Sequence, residues 1–201
     1  MLKIIKKIPN NVTIACSGGV DSMIFTHFLR KGKKKVDLAF FDHDTVHSKM
    51  ARKFVENYAD DHKLNLVIGT VKGFKGRRSL EEFWRDERYA FFNRLNSKFI
   101  ITCHHLDDCV ETWLMSSFHG NGKLIPYHRP PNIYRPFLLT EKKSIIKYAE
   151  NHNIKWVEDP TNQHTNFMRN HVRHNIMPHV LKVNPGIRKT IRKKLLELYI
   201  K

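Results

Sequence analysis

The run Ser17-Gly18-Gly19-Val20-Asp21-Ser22 constrains this chain more than any other stretch. It follows Val12-Thr13-Ile14-Ala15-Cys16, a β-branched segment that reads as a buried strand stopped by a turn. It opens the segment Val20 to Leu29, where Met23, Ile24, His27 and Phe28 recur at helical spacing. A strand, a glycine turn and a helix in that order make a phosphate cradle. The glycines let the backbone approach an oxyanion, successive N–H groups form a nest, and the helix N-terminus adds partial positive charge. Ser17 and Ser22 offer hydroxyl donors. Asp21 would repel a bare phosphate, so its place in the loop makes sense with a Mg²⁺ ion between carboxylate and phosphates. The loop lacks a Gly-Lys-Ser/Thr ending, which excludes the phosphate loop of kinases and GTPases.

The rest of the chain repeats the alternation. Val36 to Phe41 reads as a second strand and Ser48 to His62 as a helix with Met50, Phe54, Val55 and Tyr58 inward. Leu64 to Val71 is a third strand, followed by the basic connection 72–78 and a helix beginning at Ser79, whose spacing from Glu82 is that of a capping box. Phe99 to Cys103 is a fourth strand, and Leu106 to Phe118 a helix with Leu106, Val110, Trp113, Leu114 and Phe118 inward. This order predicts an α/β fold, a doubly wound parallel sheet with helices on both faces. Gly120 to Arg135 reads as a long loop. Helices are expected over Glu141 to Asn151, Asn166 to Leu181 and Ile187 to Ile200, the last with Ile187, Ile191, Leu195 and Leu198 inward. The expected organisation is a nucleotide-binding α/β domain over 1–140 and a basic helical extension over 141–201 packed on it.

Charge narrows the partner. The 201 residues hold 36 Lys+Arg against 19 Asp+Glu, a net charge of +17, concentrated in 72–78 and 169–194. Such a field fits a polyanion, first of all nucleic acid. No apolar run approaches the ~20 residues of a spanning helix, so no membrane is expected as partner. Cys16, Cys103 and Cys109 form no Cys-x-x-Cys and no disulfide framework, which fits a reduced, cytoplasmic setting. Their spacing also lacks a zinc pattern.

A second constellation opens the helix after the fourth strand: His104-His105-Leu106-Asp107-Asp108-Cys109-Val110-Glu111-Thr112. The C-terminal strand ends of a doubly wound sheet converge on the ligand crevice, so these acids face the same crevice as the glycine loop. The loop resembles the PP-loop of ATP pyrophosphatases, which cleave ATP between the α and β phosphates. The acidic segment resembles the tRNA(Ile)-lysidine synthase family, in the form His-His-x-Asp-Asp-x-x-Glu-Thr. Five further stretches agree in order: Asp42-His43, Arg85-Asp86-Glu87-Arg88-Tyr89, Arg135-Pro136-Phe137-Leu138, Asp159-Pro160-Thr161-Asn162 and Arg169-Asn170-His171-Val172-Arg173. The resemblance spans residues 12–185 and implies a Rossmann-like, adenine nucleotide alpha hydrolase-like fold.

The resemblance implies a reaction as well. ATP adenylates the C2 oxygen of the first anticodon cytidine of isoleucine tRNA with a CAU anticodon. The ε-amine of free L-lysine then attacks C2 and AMP leaves. Transferred position by position, Ser17, Gly18, Gly19, Val20, Asp21 and Ser22 bind ATP with Asp42, His43 and His105. Asp21 and Asp107 meet Mg²⁺. Asp107, Asp108, Glu111, Arg85 and Arg88 are the catalytic set: Asp108 and Glu111 for the lysine ammonium or its proton, the two arginines for the lysine carboxylate or a phosphate. Arg169, Asn170, Arg173 and His174 are expected on a basic face toward RNA.

Bacterial members of that family continue into further domains that grip the tRNA, so the resemblance implies a minimal form without them, its charge standing in through phosphate attraction. Cys109 and Trp113 depart from the family's usual residues. A PP-loop tRNA thiolase and a non-catalytic RNA-binding protein are the alternatives. The last helix is either an RNA-facing cover or a dimer element.

Overall fold

The computed structural model describes residues 1–163, 165 and 168–200. Its centre is a six-stranded sheet in the order β3-β2-β1-β4-β6-β5. The strands are β1 (Asn11–Ala15), β2 (Lys35–Asp42), β3 (Leu66–Thr70), β4 (Ile100–Ile101), β5 (His128–Arg129) and β6 (Ile133–Tyr134). All neighbours pair in parallel except β5 with β6. The strand order reverses between β1 and β4, which sets the switch point of the sheet there. The doubly wound reading holds.

The period-two alternation of the strands decides which helix covers which face. Val12, Ile14, Leu38, Phe40 and Ile101 point to one side, into a core shared with α1 (Val20–Lys31), α2 (Val46–Asp61) and α5 (Lys142–Asn151). Ala39, Phe41 and Ile100 point to the other, where Tyr89, Phe91 and Phe92 of α3 (Leu80–Arg94) cover them. A third cluster joins α4 (Leu106–Ser117) to the C-terminal helices α7 (Met177–Val183) and α8 (Ile187–Tyr199). Burial is continuous across residue 140, because Ile145 and Ala149 of α5 share one core with Ile14 of β1.

Several local expectations change. Met50 is 62% exposed: α2 turns Ser48, Ala51, Val55 and Ala59 inward, and the two alanines let it lie close to the sheet. Phe118, just after α4, and Leu198, in the last turn of α8, are exposed as well. The fourth strand is two residues long, and the expected loop 120–135 contributes β5 and β6, so that β6 extends the sheet beside β4. Ser79 caps α3 by accepting from the Glu82 N–H at 3.2 Å. The basic helix expected over 166–181 is broken into α6 (Met168–His171), a π-helical segment Val172–Ile176 and α7. Its first two expected residues, Asn166 and Phe167, lie outside the described residues. No helix among the described residues is long and apolar enough to cross a membrane.

Candidate active site

β1 and β4 flank the switch point, so the loops that follow them meet. After β1, Gly18 has φ +78, and a Cβ there would press on Val55 and the Ala51 carbonyl of α2. Glycine is thus required twice, by conformation and by space. The Ser22 hydroxyl does not face outward as expected. It is buried, donates to the Gly19 carbonyl at 2.9 Å and accepts from the Ser17 N–H at 3.2 Å, so it shapes the loop from beneath. Gly19 caps α1, Val20 and Asp21 begin it, and Ser17 stays exposed. The Gly18 carbonyl accepts from Val157 N–H at 2.9 Å, which ties the loop to the segment before Asp159.

After β4, His105 caps α4. Its ring accepts from the Asp108 N–H at 3.4 Å, and the Asp108 carboxylate accepts from the His105 N–H at 2.9 Å. This is a capping box with histidine in the place usually held by Ser, Thr, Asp or Asn. The buried imidazole lies within 3.9 Å of three carboxylates: Asp21 at 3.7 Å, Asp108 at 3.6 Å and Asp107 at 3.9 Å. One ring therefore gathers the acids of the two loops.

The C-terminal helices answer those acids with cations. Lys142 Nζ donates to both oxygens of Asp21 at 2.7 and 2.9 Å, and Lys142 N–H donates to Asp107 at 2.8 Å. Arg188 Nε donates to the other oxygen of Asp107 at 2.7 Å. Arg173 grips Glu111 with Nε at 2.7 Å and a second nitrogen at 3.0 Å, and reaches Asp108 at 3.5 Å. Arg169 stands 3.6 Å from Glu111. Burial would raise the Asp108 carboxyl, but His105, His104, the His105 N–H and Arg169 outweigh it and hold it at about 2.

The expected outward face is therefore corrected for Arg169, Asn170 and Arg173. Arg169 and Arg173 turn inward onto Glu111, because a buried carboxylate needs a partner more than a solvated guanidinium does. The π-helical segment carries Arg173 to that position. Asn170 is buried and donates to the Thr161 carbonyl at 2.9 Å. His174 is exposed and lies 2.8 Å from the Asn162 carbonyl.

Asp42 and His43 end β2. Asp42 is buried and accepts from Ser48 Oγ at 2.7 Å and Asp44 N–H at 2.8 Å, shaping the turn into α2. His43 packs on Trp84, with ring centroids 5.1 Å apart. Burial, helped by the Arg88 charge, lowers its pKa to about 4, so the ring is neutral. Arg85 and Arg88 lie on α3 with their guanidinium carbons 5.7 and 5.8 Å from the Tyr89 ring centre. Neither forms an ion pair with Glu81, Glu82 or Glu87 of the same helix.

A family model described as a PP-loop domain matches residues 1–180. The chain belongs to the PP-loop domain family. This PP-loop domain is 34% identical over 194 residues to a tRNA(Ile)-lysidine synthase of Persephonella marina, covering 89% of the chain and 43% of that relative. It is 32% identical over 194 residues to the tRNA(Ile)-lysidine synthase of Thermotoga maritima, covering 88% of the chain and 47% of that relative. The chain thus spans less than half the length of these curated relatives. Among solved structures it resembles the U34-tRNA thiolase NcsA of Methanococcus maripaludis, a structure with a [4Fe-4S] cluster, at a TM-score of 0.75, 18% identity, 95% coverage of this chain and 74% of the other. That likeness shows the fold.

The donor chemistry of the PP-loop domain suits Mg²⁺. Among the described residues no three or more His, Cys, Asp or Glu side chains are grouped as a metal cage. Mg²⁺ is characteristically held by one or two carboxylates plus phosphates and water. Asp21 and Asp107 are such a pair, and the ammonium of Lys142 on Asp21 marks the place as favourable to a cation. Lys142 and Val157 escaped the sequence reading, and Arg188, expected only as part of an RNA-facing cover or dimer element, turns onto Asp107. Lys142 belongs to the Arg135-Pro136-Phe137-Leu138 step only as its sequel, and nothing local marks Val157.

Proposed function

We propose that this PP-loop domain catalyses ATP-dependent modification of the first anticodon cytidine of isoleucine tRNA by lysine, releasing pyrophosphate and AMP. The observation that carries the reading is the pairing of the glycine loop with Asp107, Asp108 and Glu111 across the switch point. Similarity to lysidine synthases over nearly the whole chain supports it.

In this reading the backbone of residues 17–22 holds the triphosphate, and Asp42 and His43 border the adenosine. Asp21 and Asp107 would hold Mg²⁺, which would supply charge neutralisation for the pyrophosphate. The cytidine C2 oxygen bonds to the α-phosphorus as the α–β bridge breaks. The lysine amine then forms a C–N bond at C2 as the C2–oxygen bond to AMP breaks, and the amine proton passes to the carboxylate of Asp108 or Glu111. Asp108, whose carboxyl His105, His104 and Arg169 hold low despite burial, stays charged until then and serves as a partner of the ammonium. His105 keeps the acids of the two loops in register.

The test is incubation with Mg-ATP, labelled lysine and isoleucine tRNA bearing a CAU anticodon. Lysine-dependent AMP release with label in the RNA is the expected result. Sulfur incorporation from a donor with no lysine label would transfer the assignment to a thiolase. RNA binding without AMP would leave a binding protein.

A further inference from the structure

The arginines of this chain differ in their partners. Arg52, Arg78, Arg169, Arg173, Arg188 and Arg192 each have a carboxylate within ion-pair distance. Arg30, Arg77, Arg85, Arg88, Arg94, Arg129 and Arg135 have none among the described residues, and four of these, Arg85, Arg88, Arg129 and Arg135, gather around one side chain. Arg129 lies over the Tyr89 ring at 3.8 Å, Arg85 at 5.7 Å and Arg88 at 5.8 Å. Arg135 donates to the Tyr89 hydroxyl at 3.1 Å. Arg135 is buried, and its Nε has no hydrogen-bond partner among the described residues. Like charges held together without a counter-ion are a site prepared for an anion, and the planar guanidinium fork suits phosphate.

We propose that Arg85, Arg88 and Arg129, backed by Arg135 on Tyr89, seat the backbone phosphate of an RNA strand beside its target base. The proposal rests on the reading of the substrate as RNA. Three observations favour a polymer over a small anion. First, Trp84 of the same helix packs on His43, after β2, with ring centroids 5.1 Å apart, so the cluster borders the crevice that holds the acids. Second, the site continues outward. Glu87 of α3 accepts the N–H groups of Lys72 and Gly73 at 3.0 and 3.1 Å, which pins the basic loop 72–78 along the same helix. Phe74 at the tip of that loop is 88% exposed, as an aromatic that stacks on an unpaired base would be. Third, the inner basic residues of the C-terminal helices are already paired with acids, which leaves α3 with the uncompensated guanidinium groups. The strand therefore crosses α3 on its way to the crevice.

The experiment measures binding of a fluorescently labelled stem-loop RNA with a CAU loop across a range of salt, using the full chain and its R85E/R129E variant. Both changed residues lie on the surface or partly so, and binding of a fluorescent ATP analogue with the circular dichroism spectrum reports the fold. RNA affinity is expected to fall by about thirtyfold or more, and the log–log salt slope by about 0.7 for each phosphate the variant no longer neutralises. ATP-analogue binding stays unchanged, and R129K retains most of the RNA affinity. K189E/K193E, on the outward face of α8, has a much smaller effect. Unchanged RNA affinity in R85E/R129E overturns the proposal, as does an equal loss in K189E/K193E. A raised KM for lysine with RNA affinity intact also overturns it and gives the arginines to the lysine carboxylate. Arginine-dependent RNA binding in a protein that incorporates no lysine leaves this site standing while the reaction proposed above falls.

Discussion

Lys142 joins the two halves of the crevice: its ammonium donates to both oxygens of Asp21 and its backbone N–H donates to Asp107. The cation stands where the proposed Mg²⁺ would be held, so the two compete for Asp21. Replacing Lys142 by Met removes the competitor and leaves the acids in place. The Mg²⁺ concentration that half-saturates binding of a fluorescent ATP analogue is expected to fall several-fold. An unchanged Mg²⁺ requirement would contradict the competition.

Asp21→Ala acts the other way. It removes one of the two carboxylates available to the metal and leaves α3 and its arginines untouched. Lysine-dependent AMP release is expected to drop by at least about a hundredfold, on the scale of losing a preorganised charge at the reacting phosphate. Retention of RNA on a filter stays within about twofold. Full activity in this variant would remove Asp21 from the metal site.

Arg173 makes the closer of the two ion pairs on Glu111, with side chains 35% and 4% exposed. Arg173→Ala leaves a buried carboxylate with Arg169 alone. Such losses cost about 3–5 kcal/mol when the partner is fully orphaned. The remaining arginine and the partial exposure of Arg173 reduce this to about 2 kcal/mol, read as a lower urea midpoint. Arg173→Ala combined with Glu111→Gln is expected to be more stable than Arg173→Ala alone, because no charge is then stranded.

These inward arginines also mark the limit of what the sequence could tell. The glycine loop, the alternation of strand and helix and the spacing of Asp107, Asp108 and Glu111 are local patterns, and they were legible. Arg169 and Arg173 share a helical face by spacing alone, but spacing does not say whether that face meets water or an acid 62 residues away. Lys142 was silent for the same reason, and Arg188 was legible only as part of a basic last helix. His105 escaped as a cap because histidine rarely holds that position, and β5 and β6 are too short for any periodicity to show. Long-range charge pairing, not propensity, assembled the part of the site that was missed.

Packing behind the site gives a prediction independent of function. Gly69 in β3 lies against Phe91 of α3, and a Cβ there would collide with the ring. Gly69→Ala is expected to cost about 1–3 kcal/mol by overpacking. Adding Phe91→Leu, which shrinks the neighbour, should recover part of the loss in the same urea titration.

The fold should also weaken in mild acid, with a sign set by two neutral histidines. Burial lowers His43 to about 4 and His104 to about 3, against 6.5 for the free side chain. Between those values the unfolded chain binds protons that the folded chain refuses, so stability falls as pH drops from about 6.5. At about 1.4 kcal/mol per unit, discounted for its partial exposure, His43 contributes roughly 2 kcal/mol of loss by pH 4. His104 carries the decline further, and Asp108, whose pKa is lowered to about 2, adds a loss only below the ordinary carboxylate range. The urea midpoint is expected to fall steadily from pH 7 to pH 4.5. His43→Gln, which has no proton to gain, should flatten that slope, and an equally steep slope in the variant would show that the His43 ring is not held neutral by the fold.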